Sequence, residues 1–99
     1  IIEKFGMLKE TDGILDFSFD SEKKLKYVII SEDIRYSQRV EAFDIFIKKA
    51  NGNYEHVYSG TVIGSKKIAV IKKKKCVGAR FIIRQSRSTP VISEIGFYE

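Results

Sequence analysis

The single histidine of the chain, His56, is the residue best suited by type to acid–base chemistry. It stands between Tyr54 and Tyr58 in a stretch of alternating polarity, which predicts a short strand with all three rings on one face. No serine or cysteine stands in a nucleophile motif with it, and no glycine-rich phosphate loop is present. We therefore predict an imidazole packed between tyrosines rather than a catalytic base.

Metal-binding and redox residues are equally scarce. Cys76 is the only cysteine, so no internal disulfide can form, and one Cys with one His cannot build a conventional zinc site. Asp12, Asp16 and Asp20 recur at every fourth position, yet no EF-hand-type loop surrounds them. We expect no metal and no cofactor, and we expect Cys76 to be a half-buried small apolar residue.

The net charge of +5 depends strongly on one lysine run, Lys72–Lys75, which supplies four positive charges. A short run between strand-like segments is typical of a solvated turn or a guarded sheet edge. The aromatic residues follow the core periodicity and do not interleave with basic residues as on an RNA-binding sheet. A basic nucleic-acid-binding barrel is therefore a disfavoured alternative, and we expect no nucleic-acid partner. No apolar run approaches the ~20 residues of a membrane-spanning helix, so no membrane partner is expected.

Apolar residues alternate with polar ones along almost the whole chain, which predicts β-strands. In the strand predicted at 25–30, one face is interpreted as Leu25, Tyr27 and Ile29. The length fits one domain over residues 1–99, and the fold class predicted is all-β, an antiparallel β-sandwich. The predicted strands are about seven: 15–19, 25–30, 40–48, 54–58, 68–71, 79–84 and 91–98.

Core and turn positions follow from the same pattern. The predicted core residues are Phe43, Ile45, Phe81 and Ile83, on the apolar faces of central strands. A hairpin turn is predicted at 51–53, which reads Asn-Gly-Asn. We also expect positive φ at one or both of the glycines that bracket the next turn, Gly60 and Gly64.

Four segments resemble, in order, the C-terminal β-sandwich of family 29 glycoside hydrolases, the α-L-fucosidases. Residues 31–43, SEDIRYSQRVEAF, are similar to the family's L-x-E-x-I-x-x-G-Q-R-V-x-x-F, with Ser37 in place of the usual glycine. Residues 59–68, SGTVIGSKKI, and 78–83, GARFII, resemble a turn and two strands of that domain. Residues 86–98, SRSTPVISEIGFY, are similar to S-R-A-x-P-x-I-S-E-I-G-L-Y.

This resemblance implies a jelly-roll, galactose-binding-like or discoidin-type sandwich that follows a catalytic barrel. The family's nucleophilic aspartate and acid/base carboxylate belong to that barrel, and no position here matches either motif. We therefore expect a non-catalytic C-terminal domain, cut from a larger α-L-fucosidase-like hydrolase, whose partner is the catalytic domain. The chain itself leaves its compartment open, and the resemblance implies a secreted or periplasmic protein.

The alternative is an independent carbohydrate-binding module, whose partners would be glycans. Tyr36 offers a stacking surface, and Arg35 and Arg87 offer guanidinium donors to hydroxyls, so these three are the candidate carbohydrate-binding residues. A second group, Glu32, Arg39 and Glu94, is predicted to form a structural polar cluster, since an arginine at the start of a central strand needs a carboxylate beside it.

Overall fold

The computed structural model describes residues 3–9, 13–32, 40–63, 66–86 and 91–99, and these form one antiparallel sheet. Its strands lie in the order β1-β6-β2-β5-β3-β4. They are β1 (Glu3–Lys9), β2 (Ile14–Glu32), β3 (Val40–Lys48), β4 (Tyr54–Gly60), β5 (Lys67–Ser86) and β6 (Val91–Tyr98). The described part of the chain contains no helix that could cross a membrane. The predicted class, an all-β antiparallel sandwich, is confirmed.

The strand count differs from the prediction for two reasons. β1 is not among the predicted strands, and two pairs of predicted strands are each one long strand. Segments 15–19 and 25–30 are parts of β2, and segments 68–71 and 79–84 are parts of β5. Irregular pairing, not a turn, separates the parts. Residues 19–22 of β2 lie opposite Val77 alone, and residues 71–73 of β5 lie opposite Lys26 alone. Extra residues of this kind bend a strand and increase its twist without ending it.

The bends divide the sheet into two layers. The first layer contains β3, β4, residues 14–18 of β2 and residues 78–86 of β5. The second contains β1, β6, residues 23–32 of β2 and residues 67–76 of β5. The ring of Phe97, from the second layer, lies 5.1 Å from the ring of Phe17, from the first. The apolar core therefore lies between the two layers, as in a sandwich.

The predicted core is confirmed, with one residue at its margin. Phe43, Ile45 and Phe81 are each 1% exposed, whereas Ile83 is half-buried and packs against the core from its edge. In the register between β3 and β5, Ile45 lies opposite Phe81 and Phe43 opposite Ile83. These four residues thus form adjacent cross-strand pairs on the inner face of the first layer.

The predicted face of β2 is wrong beyond Leu25. Leu25, Val28 and Ile30 are fully buried, whereas Tyr27 and Ile29 are half-buried on the outer surface. The irregular pairing between Leu25 and Tyr27 shifts the alternation by one residue. A shift of one position turns every later side chain to the opposite face of the sheet.

The two glycine predictions have different outcomes. The hairpin at Asn51–Asn53 is confirmed, since Gly52 has φ of +90° and its amide donates to the Lys49 carbonyl at 2.9 Å. Gly60 is not among the described glycines with positive φ, and Gly64 lies outside the described residues. Gly60 is required instead for space: a Cβ there would lie 2.5 Å from Cζ of Phe43.

Replacement of Gly60 by alanine is therefore expected to destabilise the fold by about 1–3 kcal/mol, because the added methyl group would displace a buried ring. Urea denaturation of the variant measures this cost. Thr61→Ala, a change at the exposed neighbouring position, serves as the control and should alter the free energy of unfolding by less than about 0.5 kcal/mol. Equal stability of the two variants would contradict the assigned role of Gly60.

Candidate functional site

The three candidate carbohydrate-binding residues, Arg35, Tyr36 and Arg87, lie outside the described residues. The described residues that flank their segments are nevertheless informative. Val40 pairs with Ser86, and Glu32 pairs with Ile92, so the flanks of 33–39 and of 87–90 are neighbours in the sheet. Both segments therefore join the sandwich at the same end, and sugar binding by these residues stays a prediction.

The predicted polar cluster is described for two of its three members. Glu32 is the only buried charged residue in the described ranges, at 4% exposed, and its Oε1 accepts a hydrogen bond from the Val40 amide at 2.9 Å. Glu94 is half-buried on β6, opposite Ser31, so the two carboxylates lie on neighbouring strands. Arg39 lies outside the described residues. Glu32 thus joins the end of β2 to the start of β3, which is a structural role.

The densest arrangement of polar side chains lies elsewhere, on the outer face of the first layer. We call this surface the polar face; it comprises Asp16, Asp44, Tyr54, His56, Ser59, Arg80 and Arg84. Alternation along the strands produces most of it, because Asp44, Ser59 and Arg80 are each adjacent in sequence to a core-facing residue. Phe81, for example, is buried between the outward-facing Arg80 and Ile82.

Arg80 is held at the centre of the polar face from two sides. Its Nε donates to Oδ1 of Asp16 at 2.6 Å, and its Nη2 donates to Oδ2 at 3.3 Å. The guanidinium carbon also lies 4.2 Å from the centroid of the Tyr54 ring. Hydrogen bonding to Asp16 raises the pKa of Arg80. A two-point carboxylate contact and a cation–π contact together hold this guanidinium in place.

A second cluster on the polar face is centred on Asp44. Its Oδ1 accepts from Oγ of Ser59 at 2.5 Å, and its Oδ2 accepts from Nε of Arg84 at 2.6 Å. His56 Nε2 lies 2.7 Å from Ser59 Oγ and 3.3 Å from Asp44 Oδ1. The hydrogen bonds from Ser59 and Arg84 lower the pKa of Asp44 below its ordinary value of 3.8.

Serine, histidine and aspartate together suggest a nucleophile, but the connections are those of a structural cluster. In a catalytic triad the serine and the carboxylate contact different nitrogens of the imidazole. Here Ser59 and Asp44 both lie beside Nε2, and the serine donates its proton to the carboxylate. The serine proton is thus directed at the carboxylate, which is the arrangement of a structural hydrogen-bonded cluster.

The prediction that His56 packs between two tyrosines on one face is wrong for Tyr58. The pairing of β3 with β4 shifts between Ile45 and Phe46, so His56 and Tyr58 point to opposite faces. Tyr58 stacks on Phe43 on the core side, with ring centroids 6.0 Å apart. His56 lies outside, with its ring edge-on to Phe46 at 5.2 Å. A bulge that the residue types do not indicate has separated the two rings.

The stability contributed by the Asp44 cluster should depend on pH. Because the pKa of Asp44 is lowered in the folded state, its ionised form stabilises the fold above pH 3.8, and this contribution is lost as the pH falls through the folded-state pKa. We expect Asp44→Asn to be less stable than the unmodified chain at pH 7, with the difference shrinking at pH 3. Urea midpoints at the two pH values measure this effect. Asp20→Asn is the control, because the Asp20 side chain is 88% exposed. In the described ranges its one ion-pair partner is Lys23, at 3.5 Å.

Two further sequence predictions are refined by the structure. The run Lys72–Lys75 is not a turn but part of β5. Among the described strands, only β2 pairs with this part of β5. The interpretation of the run as a sheet edge is therefore correct. Lys74 contacts Glu55 at 3.0 Å, and Lys49 contacts the same carboxylate at 3.2 Å.

Cys76 is fully rather than half buried, and burial raises the pKa of its thiol. The lysine run and the buried cysteine therefore both have structural roles.

Within the described residues, no group of three or more His, Cys, Asp or Glu side chains is arranged to hold a metal ion. The carboxylates of the polar face are instead bound by arginine: Asp16 by Arg80 and Asp44 by Arg84. Both carboxylates of the polar face are therefore engaged in ion pairs with arginine.

Comparison with known proteins relates the chain to a part of much longer ones. No family model matches it. α-L-Fucosidase 1 of Arabidopsis thaliana is 25% identical over 91 residues, which are 90% of this chain and 18% of that protein. A candidate α-L-fucosidase of Bacteroides ovatus is 29% identical with a TM-score of 0.84, over 93% of this chain and 16% of its own. One from Bacteroides thetaiotaomicron has a TM-score of 0.86 at 23% identity, over 95% of this chain and 21% of its own. The chain thus spans about a fifth of these relatives.

A different kind of protein shares the fold over three quarters of its own length. The family 32 carbohydrate-binding module of Streptococcus pneumoniae EndoD has a TM-score of 0.78, over 94% of this chain and 75% of its own. Identity to it is 11%, so the likeness is one of fold alone.

Proposed function

We propose that this chain is a non-catalytic accessory domain of a fucoside-hydrolysing protein. It corresponds to the β-sandwich domain of family 29 α-L-fucosidases. The observation that carries the proposal is the extent of the match. It covers 90% of this chain but only 18% of the Arabidopsis fucosidase, so most of that protein's length has no counterpart here. An accessory domain would support and position the catalytic domain.

The chemistry of the described surface supports a non-catalytic role. Glycoside hydrolysis uses two carboxyl groups about 5–10 Å apart on either side of the scissile bond, one of them free to transfer a proton. Asp16 and Asp44 are both held in short contacts with arginine, and the hydrogen bonds from Ser59 and Arg84 lower the pKa of Asp44. They also lie on the outer face of a sheet, where neither could enclose a substrate.

Deletion of residues 1–99 from the longer protein tests this role. We expect the remaining catalytic domain to keep its kcat for a chromogenic α-L-fucoside within several-fold, and to melt at a lower temperature. A folded deletion variant with no activity would show that the chain contributes catalytic groups, and would contradict the proposal.

Carbohydrate binding is the second candidate function. The paired flanks of segments 33–39 and 87–90 favour it, because they bring the attachment points of the two arginine-containing segments to the same end of the sandwich. The binding residues would be Arg35, Tyr36 and Arg87, with the tyrosine ring stacking on a sugar and the guanidinium groups donating to hydroxyls.

Titration of the chain with a panel of fucosylated and galactosylated glycans, followed by NMR, tests this second function. Shifts confined to 33–39 and 87–90 would support it. Shifts elsewhere, or none at millimolar glycan, would contradict this choice of residues.

A further inference from the structure

The two asparagines of the chain, Asn51 and Asn53, both lie in the turn between β3 and β4. Asn51 is followed by Gly52 and Asn53 by Tyr54, and all four residues are exposed. Asparagine is thermolabile because its side-chain amide reacts with the backbone nitrogen of the following residue, and a glycine at that position has no side chain to hinder the approach. The two asparagines therefore differ in reactivity although they share one turn.

The Asn51 side chain is folded back over the peptide group of Gly52. Its Oδ1 accepts a hydrogen bond from the Asn53 amide at 2.9 Å, which is an Asx turn. The ring that this hydrogen bond closes includes the Gly52 nitrogen, so Cγ of Asn51 is held near that nitrogen. The same hydrogen bond draws electron density from the side-chain carbonyl, which makes Cγ a better electrophile.

The surroundings of Gly52 are open, and one contact opposes the reaction. Gly52 has φ of +90°, and a Cβ at that position would meet no atom within 4 Å. Its amide donates to the Lys49 carbonyl at 2.9 Å, so the nitrogen must leave this hydrogen bond and lose its proton before it attacks. The reaction is therefore expected to be faster at higher pH.

We propose that Asn51 is a site of spontaneous deamidation in which water is the only co-reactant. The Gly52 nitrogen gives its proton to solvent and bonds to Cγ of Asn51. The Cγ–Nδ2 bond breaks, and Nδ2 takes a proton from solvent and leaves as ammonia. Water then opens the five-membered imide at one of its two carbonyls. Opening at Cγ leaves aspartate at position 51, and opening at the backbone carbonyl leaves isoaspartate, whose main chain runs through the former side chain.

The two products affect the hairpin differently. Aspartate keeps an oxygen that accepts from the Asn53 amide, now with a negative charge, so the turn is retained. Isoaspartate adds one carbon to the main chain inside the turn, across which the Lys49 amide donates to the Asn53 carbonyl at 2.8 Å. The turn sets the register of a hairpin, so we expect this hydrogen bond to be lost. Since β4 is the last strand of the sheet and contains Tyr54 and His56, the isoaspartate product loosens one side of the polar face.

Incubation of the 99-residue chain at pH 7 and at pH 9, followed by trypsin digestion and mass spectrometry, tests the site. The tryptic peptide of residues 50–66 contains both asparagines, and its fragment ions distinguish them. Asn53 is the matched control, because it lies in the same exposed turn but precedes a tyrosine. We expect Asn51 to gain one mass unit at least tenfold faster than Asn53, and faster at pH 9 than at pH 7. Enzymatic methylation specific for isoaspartate should label the product.

Amide hydrogen exchange tests the effect on the hairpin. The Lys49 amide should exchange at least tenfold faster in the purified isoaspartate form than in the Asn51→Asp variant, which has the other product's side chain. Equal conversion of Asn51 and Asn53, or no conversion at pH 9, would overturn the assignment of the site. Equal protection of the Lys49 amide in the two forms would overturn the proposed loosening of β4.

Discussion

Replacement of Phe81 by alanine is expected to lower the free energy of unfolding by about 3–5 kcal/mol, a large fraction of the about 5–15 kcal/mol that stabilises a small domain. The Phe81 ring is 1% exposed and lies 5.2 Å from the ring of Phe43. It stands in β5 between Leu15 of β2 and Ile45 of β3, so its loss leaves a cavity lined from both neighbouring strands. Guanidinium denaturation followed by circular dichroism measures the effect.

Ile82→Ala is the matched control for Phe81→Ala. Ile82 is the next residue of the same strand, but it is on the outer face and half-buried. Its truncation should cost much less, about 1 kcal/mol, since less apolar area is removed from contact. A cost below 1 kcal/mol for Phe81→Ala would contradict the assignment of the inner face of β5.

Replacement of Glu32 by alanine is expected to cost about 1–3 kcal/mol, because the buried Val40 amide would lose the acceptor that lies 2.9 Å away. Glu32→Gln retains an acceptor oxygen and should cost less. Thermal and urea unfolding of both variants measure the difference.

Glu22→Ala, at an exposed position of the same strand, controls for the loss of a carboxylate and should be near neutral. If the alanine and glutamine variants of Glu32 were equally stable, the carboxylate contact with Val40 would not contribute to the connection between β2 and β3.

The fold class was predictable because the alternation of apolar residues is a local property of the sequence. Phe43, Ile45 and Phe81 could be assigned to the core from their spacing alone. The bulges could not be assigned in this way. A bulge depends on how two strands far apart in sequence align, as at Lys26, which lies opposite residues 71–73. The faces of Tyr27 and His56 were therefore mispredicted, although the strands containing them were found.

The polar face was missed for the same reason. Arg80 and Arg84 alternate with core residues of β5, and this pattern indicates outward-facing charges on a central strand. It does not identify their partners, since Asp16 and Asp44 lie 64 and 40 positions away in sequence. Charges on the outer face of a central strand indicate cross-strand ion pairs, and the register of the sheet determines which residues pair.

The central claim, that this chain has no hydrolytic chemistry of its own, is tested most directly by assaying the purified 99-residue chain with a chromogenic α-L-fucoside. We predict no release of chromophore above the buffer rate at any pH between 4 and 8, because Asp16 and Asp44 are bound by arginine and the Ser59 proton is donated to a carboxylate. Turnover that increases in proportion to the chain concentration, and that is lost in Asp44→Asn, would contradict the account.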